Sequence, residues 1–271
     1  MDGIRPLIRR LSLLTLLFGL AGCGIFGSEP PDRTANMTPQ QLYAEAKDEM
    51  SSGKYSEAIK LLAKLESRYP FGAWAQQAQI DSAFAYYKDN NRTEALVAVE
   101  RFVRLHPTSE FLDYAYYLKG LINFNEEQGF MARFGGQDLS ERDQRAARES
   151  FESFRQVVTR FPNSKYYDDS AARMKYLVNA MAAGEAHIAR YYYLRGAYVA
   201  AVGRAQTVLQ QYPQTPAVEE ALYLMLKSYE KLQLEELRAD TERVFLKNYP
   251  NSTLLTQGVR VDDRSWWEVW R

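Results

Sequence analysis

Between residues 55 and 69, the apolar positions Tyr55, Ala58, Ile59, Leu62, Leu65 and Tyr69 fall on one face at helical spacing. The stripe stops at Pro70, a residue that can end a helix but not continue one. The same arrangement recurs along the chain. An aromatic or His residue followed by Pro closes each stretch, at Tyr69-Pro70, His106-Pro107, Phe161-Pro162, Tyr212-Pro213 and Tyr249-Pro250. Successive prolines are 37, 55, 51 and 37 residues apart. Self-similarity with a unit in this range predicts a helical solenoid. Small polar residues follow the prolines (Thr108 and Ser109, Ser164, Thr215, Ser252) and suit the N-cap of the next helix. Thr38-Pro39-Gln40-Gln41 opens the first helix as a capping box.

Inside the units, Gly53-Lys54-Tyr55-Ser56-Glu57-Ala58-Ile59 matches Gly196-Ala197-Tyr198-Val199-Ala200-Ala201-Val202 as Gly-x-Tyr-x-x-Ala-aliphatic. Ala58, Ala95 and Ala201 each stand twelve residues before their proline. A small residue there lets two antiparallel helices approach closely. This resembles the tetratricopeptide repeat, a helix–turn–helix unit of about 34 residues. Five units are expected, at about residues 37–70, 73–107, 111–162, 166–213 and 217–250. In the third, Ser150 holds the small-residue slot and Gly120 lies in the first helix. An excess of chain at 128–144, with Gly129, Gly135 and Gly136, reads as a loop inserted between its two helices. In the fourth, the first helix extends over about Asp168 to Leu194. In the fifth, Arg238 takes the small-residue slot, an irregularity a terminal repeat tolerates. The fold class is therefore all-α, a tetratricopeptide-like solenoid over residues 37–255.

The N-terminus has a different pattern. Arg5, Arg9 and Arg10 precede the apolar run Leu11 to Leu20, which is too short to span a bilayer. Leu20-Ala21-Gly22-Cys23 follows, holding the single cysteine of the chain. Residues 1–22 read as a secretory signal peptide. Their end resembles the lipobox of bacterial lipoproteins, which makes Cys23 the acylated first residue of the mature body. Gly24 in the next position leans toward the outer membrane. Residues 23–36, with Gly24, Gly27, Ser28, Pro30 and Pro31, read as a flexible tether.

Charge narrows the function. The chain has 34 basic and 34 acidic residues; removal of Arg5, Arg9, Arg10 and Asp2 leaves the body two charges negative. That balance argues against nucleic-acid binding, which needs a strong basic field. Of the two histidines, His106 stands where other units place Tyr or Phe, and His187 is isolated in a helix. No His/Cys/carboxylate cluster, phosphate loop or Gly-x-Ser-x-Gly elbow is present in the sequence. The expectation is a non-enzyme without metal or cofactor. With 19 Tyr residues in clusters such as Tyr86-Tyr87 and Tyr191 to Tyr193, some rings must face a groove or solvent, where they suit protein recognition. The tail 256–271 ends Trp266-Trp267-Glu268-Val269-Trp270-Arg271; it is expected to cap the last repeat or dock on a partner.

Further stretches carry a resemblance: Arg68-Tyr69-Pro70-Phe71-Gly72, Ala85-Tyr86-Tyr87-Lys88, Arg101 to Pro107, Phe134 to Asp138 with Arg142-Asp143, and Arg195 to Ala200. Together with lipobox and insertion they resemble the BamD family, lipoproteins of the outer-membrane β-barrel assembly (BAM) machinery. The tryptophan tail has no counterpart in that resemblance. The resemblance implies a lipid-anchored scaffold on the periplasmic face of the outer membrane. Its C-terminal repeats would bind a POTRA domain of the barrel-forming subunit, with Arg204 and Arg195 at the contact. Its N-terminal repeats would receive the C-terminal signal of unfolded outer-membrane proteins, with Tyr69, Phe71, Tyr86 and Tyr87 as the candidate aromatic lining. Accessory BAM lipoproteins are further implied partners. An adaptor for cell-wall synthesis or hydrolysis enzymes, built on the same anchor and repeats, stays open.

Overall fold

A computed structural model describes residues 32–124 and 144–259. Among the described residues every regular element is a helix. These are α1 (Pro39–Ser51), α2 (Tyr55–Arg68), α3 (Ala73–Lys88), α4 (Arg92–Leu105), α5 (Leu112–Asn123), α6 (Gln144–Arg160), α7 (Tyr167–Leu194), α8 (Tyr198–Gln211), α9 (Ala217–Lys231), α10 (Glu235–Asn248) and the single turn α11 (Leu254–Gln257). Each helix from α1 to α10 packs on its neighbours in the chain, and α1 reaches α3, α3 reaches α5, and α7 reaches α9. That is a solenoid of five helical hairpins, as the proline spacing predicts. The fourth unit's long first helix is α7, and α6 resumes at the end of the inserted stretch. The insertion itself up to residue 143, Cys23 and the three tail tryptophans lie outside the described residues.

Local chemistry explains the boundaries. Thr38 Oγ1 accepts from the Gln41 amide at 3.3 Å, and the Gln41 side chain accepts from the Thr38 amide at 2.9 Å, closing the capping box. The turn inside a hairpin needs a left-handed residue, supplied by Gly53 (φ 75°) and Gly196 (φ 76°). Asn90 and Gln233, each 37 residues further on, adopt φ 60° in the same place. Asn tolerates this conformation; Gln233 holds it under strain of roughly 1 kcal/mol.

The small-residue slot works as expected. Ala58, Ala95, Ser150 and Ala201 are all fully buried between the helices of their hairpins. Ser150 does more than fit: its Oγ donates to the Gly120 carbonyl at 2.9 Å, and the ring of Phe154, one turn later, packs against Gly120. In the fifth unit Arg238 instead pairs with Glu235 at 2.5 Å and Glu242 at 2.7 Å.

The tether is shorter than its composition suggests. Residues 32–36 are fastened to α2. Asp32 accepts from Lys64 at 2.8 Å and from Arg68 at 2.7 Å, Arg68 also donates to the Thr34 carbonyl, and Thr34 is buried. Pro/Gly content upstream concealed a carboxylate whose partners lie more than thirty residues away. Hydrogen bonds from Lys64 and Thr34 hold the Asp32 carboxyl far below the usual carboxylate range. Its folded-state pKa is depressed, so its contribution is present above the unfolded value and is lost only as pH falls through the lower folded value. Asp32→Ala is expected to speed amide exchange of residues 34–37 at neutral pH while leaving α3 onward unchanged, read by hydrogen-exchange mass spectrometry. Unaltered exchange at 34–37 would show that packing alone holds the segment.

Candidate functional site

Two surfaces carry candidate recognition chemistry. The first is the α7–α8 hairpin. Arg195 ends α7, exposed, with its guanidinium 5.4 Å from the centre of the Tyr191 ring. Tyr191, Leu194 and Val199 around it are 52%, 49% and 72% exposed. Arg204 lies roughly 9 Å along α8 from the helix start, at 1.5 Å per residue. Its Nη1 is 3.1 Å from Glu185 Oε2 on α7. The Glu185 side chain is 4% exposed and that of Arg204 45%, so one end of the pair is in the protein and the other in water. Arg190 clamps Glu220 of α9 through two contacts of 2.5 and 2.8 Å, fixing α7 on the last repeat. The hairpin therefore presents exposed apolar residues around Arg195 at its turn, with Arg204 about two turns along α8. Leu194 and Val199 were not singled out in the sequence, although the repeat register sets Val199 opposite the exposed Ser56 and so off the core face.

The second surface is a groove of about 650 Å³ lined by the first helices of units one to three and the loops beside them. Phe84, Phe111, Tyr114 and Tyr166 supply its aromatic wall, and Gln77 and Asn163 its amides. Asp81 sits in it almost fully buried, accepting from Tyr43 Oη at 2.8 Å with Lys47 Nζ at 3.5 Å. Burial, with Asp81 as the hydrogen-bond partner, raises the Tyr43 phenol well above its ordinary value; burial raises that of Tyr114. Tyr117, stacked on Tyr166 at 4.5 Å, is pushed up to about 12 by burial and by its bond to Asp169. These phenols stay neutral at any physiological pH; those of Tyr43 and Tyr117 donate to Asp81 and Asp169, so the groove's own phenols are Tyr114 and Tyr166. The groove is suited to an extended peptide: rings for side chains, amides and phenols for backbone.

The aromatics nominated from sequence do not line that groove together. Tyr69 ends α2, packs on the core around Leu42, Leu62 and Leu65 and reaches the Met37 carbonyl at 3.4 Å. Tyr87 packs partly buried on the core around Ala83, Val99 and Leu118. Tyr86 lines a separate cleft of about 220 Å³ between α2, α3 and α4, beside Glu66 and Arg101. Phe71 stands 88% exposed in the α2–α3 connection. His106 packs on Phe102 at 5.0 Å and bonds Gln79, the packing part expected for it. Among the described residues no group of His, Cys, Asp or Glu is placed to hold a metal, and no helix is long and apolar enough to cross a membrane.

A family described as outer membrane lipoprotein, YfiO, matches residues 35–246. A protein of Neisseria meningitidis serogroup B named outer membrane protein assembly factor BamD is 47% identical over 262 residues, covering 95% of this chain and 98% of its own. The chain belongs to the BamD family. Relatives of the same name include one from Vibrio cholerae, 36% identical with 88% of this chain and 96% of its own covered. Another is from Haemophilus influenzae, 34% identical with 89% and 90% covered. The YfiO match contains the α7–α8 hairpin and the N-terminal groove, and stops before the tryptophan tail.

Proposed function

We propose that the protein is a non-catalytic scaffold of outer-membrane protein assembly, held by a lipid on Cys23 at the periplasmic face of the outer membrane. The observation that carries the reading is 47% identity, over nearly the whole chain, to a named assembly factor. Arg195 and Arg204, with Leu194 and Val199 beside them, form the contact for a POTRA domain of the barrel-forming subunit. Arg suits this work: its planar fork can pair with a partner carboxylate and stack on a ring at once. The N-terminal repeats receive the C-terminal segment of unfolded outer-membrane proteins. In that task Phe84, Phe111, Tyr114 and Tyr166 form the central lining, Tyr69, Tyr86 and Tyr87 stand outside it, and Phe71 offers an exposed ring near the N-terminal edge.

The test is binding of the full-length protein, in detergent, to the purified periplasmic region of a barrel-forming assembly subunit. Saturable binding with a Kd in the micromolar range or tighter, weakened at least tenfold by Arg195→Ala together with Val199→Ser, is expected. Absence of binding by the wild type would remove the scaffold reading and favour the cell-wall adaptor.

A further inference from the structure

A buried carboxylate needs donors for its oxygens, and Asp81 meets that need only in part. Both of its contacts fall on Oδ2: the Tyr43 hydroxyl donates at 2.8 Å, and Lys47 Nζ stands at 3.5 Å. Oδ1 accepts no hydrogen bond among the described residues, and it is not sealed inside the protein. Asp81 lines the groove of about 650 Å³, so Oδ1 is the part of it that meets the groove. Lys47 is a loose counter-ion. Charge-assisted N–H···O contacts close to about 2.7–2.9 Å. Lys47 stays outside that range, and its side chain is 46% exposed against 8% for that of Asp81.

The rest of the groove adds negative charge and ring faces. Its acids Asp81, Glu110 and Asp113 outnumber its bases Lys47 and Lys165. Asp113 is occupied, accepting from the Tyr114 amide and from the Ser164 hydroxyl, each at 2.6 Å. Lys165 rests its ammonium 5.0 Å from the centre of the Tyr166 ring. Glu110 is exposed and has no hydrogen bond or ion pair among the described residues. Phe84 follows Asp81 by three residues on α3, on the same side of the helix. Tyr114 is close enough that the charge of Asp81, after burial, helps to raise its phenol. Ring faces beside an under-paired carboxylate attract a cation.

We propose that the groove holds a subsite for one basic side chain of the bound peptide, which donates to Asp81 Oδ1 and lies against Phe84 and Tyr114, with Glu110 at the rim. The inference rests on the reading of this groove as the peptide receiver and adds a charge requirement to it. Arginine fits best, because its planar fork pairs with a carboxylate while its face stacks on a ring. A backbone amide could reach the same oxygen but would gain nothing from the ring faces. The bound cation supplies the donor that the buried carboxylate lacks, which offsets the desolvation of both.

Fluorescence anisotropy on the full-length protein in detergent tests this. The probes are labelled peptides of alternating aromatic and polar residues, with one arginine moved through the polar positions. Each is paired with a counterpart carrying citrulline, the neutral isostere. At one position or more, the arginine peptide is expected to bind wild type about tenfold more tightly than its counterpart. The ratio within a pair is the readout, because a general loosening of the fold weakens both peptides alike. Asp81→Asn should bring the ratio close to one. Glu110→Gln, at an exposed side chain, should lower it about twofold with helix content unchanged. Equal affinities throughout, or an arginine preference that both variants leave intact, would overturn the subsite while leaving the peptide reading of the groove in place. Binding of none of the peptides by wild type would remove that reading, and the subsite with it.

Discussion

Phe154→Ala is expected to cost about 3–5 kcal/mol of stability, enough to unfold a large fraction of a marginally stable repeat protein. Phe154 is fully buried on α6, with Tyr117 at 6.0 Å and Phe124 at 6.2 Å between ring centres. Its ring rests on Gly120 of α5, where an added Cβ would stand 2.5 Å from the ring edge. The pair sets how closely the two helices of the third hairpin approach, and the Ser150–Gly120 hydrogen bond holds the same distance one turn earlier. Gly120→Ala alone should therefore destabilise by about 1–2 kcal/mol, overpacking outweighing a helix-propensity gain of about 1 kcal/mol. In a Phe154→Leu background the clash is relieved and the propensity gain remains, so the same substitution should become neutral or stabilising. Urea unfolding of the four proteins reads this coupling. Additive effects would show that the Phe154 ring can move aside and that the close approach is not what fixes the third repeat.

The legibility of this chain follows from the range of the interactions involved. Where a feature depends on neighbours three to twelve residues away, the sequence reading and the structure mostly agree. The capping box at Thr38, the small-residue slots at Ala58, Ala95, Ser150 and Ala201, and the long helix ending at Leu194 are of this kind. The exception is that the residues after the prolines do not cap: Phe111, Tyr166, Pro216 and Thr253 take the N-cap positions, and Ser109, Ser164 and Ser252 accept from the amide two residues on. Where a feature depends on another unit, the reading is incomplete. Tyr86 and Tyr87 are adjacent in sequence, and helical geometry puts them about 100° apart. That requires them to face different ways, but whether each faces core, cleft or groove is decided by α2, α4 and α5. The groove residues Phe84, Phe111, Tyr114 and Tyr166 come from three successive units, and no single segment marks them. Asp32 is the same case: nothing within its Pro/Gly-rich surroundings announces Lys64 and Arg68. Arg204 shows the converse. Family resemblance pointed to the residue, while its buried counterpart Glu185, nineteen positions earlier, emerges only when α7 and α8 are packed together.

That counterpart changes what substitutions of Arg204 measure. Arg204→Gln removes a cation available to a partner, but it also deprives the Glu185 carboxylate of its Nη1 donor in a place only 4% exposed. The cost to folding is about 1–3 kcal/mol, at the low end because half of the arginine is in water. Arg204→Glu adds like-charge repulsion and costs more still. Loss of partner binding by either variant alone would mix a lost contact with a loosened hairpin. Glu185→Gln separates the two. It leaves Arg204 in place and freer to reach outward, and an exposed unpaired cation costs little. If Arg204 meets the partner directly, Glu185→Gln should bind as tightly as wild type or more so. Arg204→Gln and the double variant should both bind about 10–100-fold more weakly, the range of an interface hot spot. Stability should follow a different order: lowest for Arg204→Gln, with the double variant partly restored because no charge is left buried. Titration calorimetry against the POTRA-containing region and urea unfolding on the same four proteins give both orders. Binding that falls in step with stability, with Glu185→Gln as weak as Arg204→Gln, would make the pair a strut of the fourth repeat rather than part of the interface.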